Sequence, residues 1–143
     1  LNFQSGIAAD TLLYGSIHKA AWKSAQLMAA TDSALTTVTS EFTDTTALSL
    51  GVARKINEQL ALTASLSSED GGGQTSTSSF TQSNGSQGIS LGARYTIDNI
   101  TISGGYNYTN VGDVTVSSSA GVQQAVYKNN NVSAIGLKIG FAF

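Results

Sequence analysis

Cysteine and proline are absent from this chain of 143 residues, and only 11% of its residues are charged. Without cysteine there is no disulfide framework, no thiol nucleophile and no thiolate metal site. Without proline every backbone N–H is available to a hydrogen-bonded ladder. Charge this sparse is unusual, since charged residues make up roughly a quarter of an average soluble domain. The formal net charge of -2 leaves no basic footprint, which argues against a nucleic-acid partner. No run of apolar residues is long enough for a transmembrane helix. A signal peptide is not visible and the chain begins on Leu1 rather than Met, so it reads as a mature or partial chain.

What is present is alternation with a period of two, the mark of strands with one apolar face. The chain ends IGLKIGFAF, which sets Ile135, Leu137, Ile139, Phe141 and Phe143 against Ala134, Gly136, Lys138, Gly140 and Ala142. NITISGGYNYTN sets Ile100, Ile102, Gly104, Tyr106 and Tyr108 against Thr101, Ser103, Gly105, Asn107 and Thr109. GISLGARYTI places Ile89, Leu91, Ala93, Tyr95 and Ile97 opposite Ser90, Gly92, Arg94 and Thr96. QLALTASLS and TALSLGVARKI repeat the pattern, the latter with Arg54 on its apolar side. LNFQSGIA opens the chain with Leu1, Phe3 and Ile7 on one face. In TLLYGSIHKAAW the adjacent Leu12 and Leu13 point opposite ways, and the apolar face of residues 11–22 stays open.

These make seven strand candidates, and their connections are sorted. Ala9-Asp10, Asn57-Glu58 and Asp98-Asn99 are tight turns, while the connections at about 24–45, 68–87 and 110–130 are long and polar. Short and long alternate strictly, which gathers the short turns at one end of a meander and the long loops at the other. That is the signature of an outer-membrane β-barrel. Every acid (Asp10, Asp32, Glu41, Asp44, Glu58, Glu69, Asp70, Asp98, Asp113) falls in a turn or loop. Lipid against one face explains their exclusion, because a mid-membrane charge on that face costs about 2–4 kcal/mol for Lys or Arg.

The expected fold is therefore all-β: one transmembrane segment over residues 1–143, an antiparallel meander of seven strands. The inward residues (Ser, Thr, Ala, Gly, Asn) are too small to fill a narrow eight-stranded barrel. An odd set also leaves two unpaired edges, which lipid does not tolerate. The wall thus belongs to a wider barrel, completed by another part of the protein, a second copy or another chain.

The stretch FQSGIAADTLLYGSI followed by Trp22 resembles a strand pair of the FadL family, outer-membrane transporters of long-chain fatty acids and other hydrophobic compounds. The resemblance implies a fourteen-stranded barrel, of which this chain looks like the C-terminal half without the N-terminal hatch domain. It implies passive transport in a Gram-negative outer membrane, with a fatty acid or similar molecule as ligand, no cofactor and no enzymatic chemistry. Implied partners are outer-membrane lipid, lipopolysaccharide and the barrel-assembly machinery. The terminal row Leu137, Ile139, Phe141 and Phe143 resembles the sorting signal that this machinery reads.

Arg94 and Lys138 are the cations that face inward from strand centres, and are the candidate ligands for the carboxylate of an amphiphile. The plainer reading is that a wet lumen tolerates them and that loop acids pair with them. Lys55 lies closer to a turn. His18 is the only histidine and reads as a wall residue rather than a catalyst or metal ligand. Asp70-Gly71-Gly72-Gly73 lacks the Lys-Ser/Thr of a phosphate loop and the spaced acids of a calcium loop. Two alternatives remain: a truncated barrel with a structural or surface-attachment role, related to phage or receptors, and a soluble all-β virion or adhesin module.

Overall fold

The structure, a computed structural model, describes residues 1–25, 27–30, 35–38, 42–73, 75–76, 84–118 and 120–143. In chain order the elements are β1 (Asn2–Ala8), β2 (Thr11–Ala20), a 3-10 turn (Trp22–Ser24), β3 (Leu27–Ala30), β4 (Leu35–Val38) and β5 (Thr45–Lys55). They continue with β6 (Leu60–Glu69), β7 (Thr75–Ser76), β8 (Ser86–Ile97), β9 (Ile100–Val111), β10 (Val114–Ser117), β11 (Gln123–Tyr127) and β12 (Asn130–Phe141).

Seven of these form one antiparallel sheet in the order β1-β2-β5-β6-β8-β9-β12, the meander that the alternation predicts. The sheet is open: among the described residues β1 pairs only with β2, and β12 only with β9. As first and last of seven antiparallel strands, β1 and β12 run in the same direction.

Turn chemistry sets the short end. Asp10 (φ 57°) and Asp98 (φ 49°) occupy the left-handed region that a two-residue hairpin requires, and aspartate tolerates it better than most residues. The third turn is longer than the expected pair Asn57-Glu58. Ile56 N–H donates to Leu60 O (2.8 Å), and the Asn57 carboxamide oxygen accepts from the N–H groups of Gln59 (3.0 Å) and Leu60 (2.8 Å).

At the long end the connections carry structure that a reading of polar loops missed. β3 pairs with β4, while β10 pairs antiparallel with β11 and parallel with β7, which joins the second loop to the third. Asn84 N–H donates to Gly112 O (3.1 Å), Gly112 N–H to Gly85 O (2.9 Å), and Gly73 N–H to the Asn84 side chain (2.9 Å). Loop acids close these bases: Asp44 accepts from Lys23 N–H, Asp70 from Thr46 N–H and Asp113 from Asn129 N–H.

The buried apolar side chains among the described residues are Val114 (1% exposed) and Val116 (3%), both in β10. The small core thus sits in the loop layer, not on the wall. Val116→Ala removes buried methyl groups and costs that layer about 2 kcal/mol. Thermolysin cleavage within 114–127 is then expected to speed up about thirtyfold, since such cleavage follows the open population. An unchanged rate would show that β10 is not held by this packing.

Candidate functional site

Strand register sorts the wall into two faces. On one, Val52, Ala64, Leu91, Tyr106 and Ile135 occupy one row across successive strands, and Leu50, Leu66, Ile89 and Tyr108 the next. These apolar side chains are largely uncovered, with Leu91 at 50%, Leu137 at 74% and Ile135 at 86% exposure. The other face is hydroxyl, amide and glycine. Its side chains converge: a Cβ at Gly88 would stand 2.7 Å from Ser67 Oγ, and one at Gly92 2.6 Å from Thr63 Oγ1. At Gly104, on the apolar face, the nearest atom would be Gly136 O at 3.9 Å. Along β8 the polar-face residues Gly88, Ser90, Gly92 and Thr96 are half-buried while Ile89, Leu91, Ala93, Tyr95 and Ile97 are exposed, so the sheet curls toward its polar face, which is the inner one.

The ambiguous second strand is resolved by its partners. Leu13 opposes Val52 and Ile17 opposes Leu48, so both belong to the apolar face, whereas Leu12, Tyr14, Ser16 and His18 turn inward. Tyr14 lies over Gly51, where any side chain would run into its ring. His18 opposes Ala47, which opposes Glu69, and stands in the wall with no catalytic neighbour in hydrogen-bond contact among the described residues.

The inner hydroxyls satisfy one another across strands. Ser16 and Ser49 share a hydrogen bond of 2.8 Å, Asn107 donates to Ser90 Oγ (2.8 Å), and Thr109 donates to Asn107 Oδ1 (3.0 Å). Toward the short turns this lining thins to a band in which Gly136, Gly105 and Gly92 oppose one another directly.

The next inner row beyond that band brings the two predicted cations together. Lys138 opposes Ser103, and Ser103 opposes Arg94. Arg94 opposes Ala61, and Ala61 opposes Lys55, which the sequence had placed nearer a turn and left aside. Strands stand about 4.8 Å apart, so consecutive cations are about 10 Å apart, separated only by a serine and an alanine. No carboxylate among the described residues pairs with any of the three. Their mutual repulsion in water is about 0.4 kcal/mol per pair, small enough for the row to stand without counter-ions.

At the end of β12, Leu137, Ile139 and Phe141 share the outer face, opposite Gly104, Ile102 and Ile100. Ala142 N–H donates to Asn99 O (2.9 Å), and Phe143 follows beyond the last ladder pair. Phe3, Tyr95, Tyr106, Tyr108 and Phe141 are all exposed on this outer side.

An antiparallel meander with sorted connections, one bare apolar face and one polar, crowded face has the architecture of a β-barrel wall segment. Comparison with protein-family models gives no match, and comparison with curated proteins gives none either. Among solved structures, a Pseudomonas aeruginosa FadL homologue is similar, with a TM-score of 0.76 at 16% sequence identity. The alignment covers 98% of this chain and 34% of that one, so the chain spans about a third of the homologue's length. The fold is thus that of part of a FadL-like barrel, as the phrase FQSGIAADTLLYGSI led us to expect.

Proposed function

We propose that the chain forms part of an outer-membrane barrel through which long-chain fatty acids or similar hydrophobic molecules pass by diffusion, without chemistry. The observation that carries this reading is the row Lys138, Arg94 and Lys55 on the inner face, next to a glycine band and opposite an apolar outer face. The row attracts the head group of an anionic amphiphile, while the bare band lets its tail slide past. Outer-membrane lipid and lipopolysaccharide surround the apolar face, and the barrel-assembly machinery inserts the strand that ends at Phe143.

The open edges dictate what closes the wall. Because β1 and β12 run the same way, a second copy in the same membrane orientation meets them only in parallel. Antiparallel closure needs an odd number of strands whose two outer members run the opposite way, whether continuous with this chain or separate from it.

The test is binding of a fluorescent long-chain fatty acid to the barrel, compared with the uncharged alcohol of equal length. Replacing Arg94 and Lys138 together by glutamine is expected to weaken the acid about tenfold or more and leave the alcohol unchanged. Equal loss for both probes would show that the row shapes the wall and does not read charge.

A surface-attachment role is the second reading, and one observation favours it. The second and third loops pair through β7 and β10 and present a folded surface at the long-loop end.

A further inference from the structure

The outer face is interrupted by an open groove of about 640 Å³ lined chiefly by Val52, Arg54, Leu62, Leu91, Ala93 and Gly104. Its cause is a loss of side-chain height along one row: Arg54 opposes Leu62, Leu62 opposes Ala93, and Ala93 opposes Gly104. Taller residues bound it, with Leu91 and Tyr106 on the long-loop side and Tyr95 and Ile102 on the short-turn side. The groove is apolar throughout, and Arg54 borders it at the β5 end.

Arg54 stands one residue before the end of β5 at Lys55 and three before Asn57 in the turn. At about 3.3 Å per residue along a strand tilted by about 45°, that is about 7 Å of depth from the turn, which is within a head-group layer. Arg54 has no carboxylate partner among the described residues, and its neighbour Lys55 belongs to the other face. An unpaired guanidinium at the head-group end of an apolar groove matches a molecule with an anionic oxygen group and a long tail.

We propose that this groove seats one glycerophospholipid of the leaflet that meets the short turns. Its phosphate lies on Arg54, whose planar fork of N–H donors suits two phosphate oxygens. One acyl chain lies along Leu62, Ala93 and Gly104. The proposal rests on reading the apolar face as lipid-facing.

The barrel, purified from membranes in mild detergent, is titrated with palmitoyl-oleoyl-phosphatidylglycerol and, separately, with the matching diacylglycerol, and bound lipid is counted by native mass spectrometry. The wild type is expected to retain one phosphatidylglycerol and to hold diacylglycerol far less well. Arg54→Gln weakens retention about tenfold, and Arg54→Lys by less. Gly104→Leu, for which the groove has room, weakens it by filling the acyl seat, and Leu48→Ala, outside the groove, leaves it unchanged. Equal retention by the wild type, R54Q and G104L overturns the site, and so does diacylglycerol held as tightly as phosphatidylglycerol. Liposome flotation of the same samples separates the two claims. Samples that do not float refute the lipid-facing wall, whereas samples that float with equal lipid retention refute only the groove.

Discussion

Leu91→Arg is expected to destabilise the inserted wall by about 2–4 kcal/mol, whereas arginine at the adjacent Ser90 costs far less. The two positions are neighbours in β8 and differ only in the face they occupy. Leu91 stands mid-strand between Ala64 and Tyr106 on the apolar side, half exposed to whatever surrounds the sheet. Ser90 faces inward beside Asn107, in a lining that already carries Arg94 four residues further on. If the apolar face meets hydrocarbon, the guanidinium at 91 has neither water nor a partner. If both faces meet water, the two substitutions cost alike. Unfolding from lipid vesicles by guanidinium, read by intrinsic fluorescence, measures both changes, and equal costs would count against a lipid-facing wall.

Loss of Phe143 should leave the sheet intact and yet prevent most of the chain from reaching the membrane. Phe143 follows the last hydrogen bond of the strand, from Ala142 to Asn99, and is fully exposed. It supports no packing in the sheet, so a structural role predicts almost no effect of its removal. A signal read by the assembly machinery predicts a large loss in cells and none when the purified chain refolds into detergent. Membrane levels equal to wild type would remove Phe143 from the proposed signal. Phe141 does not separate the two roles, because it pairs with Ile100 and contributes to the sheet as well.

The wall was legible in the sequence because alternation is local. Each strand with a clean period of two, such as 89–97 or 135–141, declared its faces without reference to its neighbours. Residues 11–22 did not, and the reason is visible at Tyr14: a large residue turns inward there because Gly51, on the next strand, leaves space for its ring. No local pattern encodes that exchange. The cationic row was legible residue by residue and hidden as a row. Arg94 and Lys138 are aligned by the β8–β9 and β9–β12 registers, and Lys55 joins them only through two further pairings. The loop layer was missed because Val114 and Val116 are too short a run to stand out, and their β7 partner lies about forty residues earlier. The placement of the acids was noticed and their task was not. Asp44, Asp70 and Asp113 accept backbone N–H groups where the wall passes into the loops.

A lipid-facing barrel wall requires that its two faces meet different media. The chain lacks cysteine, so single cysteines introduced from Gln87 to Ile97 of β8 report one position at a time. Each is labelled with an environment-sensitive fluorophore in the membrane-inserted barrel and quenched either by brominated lipid or by a water-soluble quencher. Strict alternation is expected: positions 89, 91, 93 and 95 respond to the lipid, and 88, 90, 92 and 94 to the aqueous agent. A uniform response along the strand, to either quencher, would contradict it.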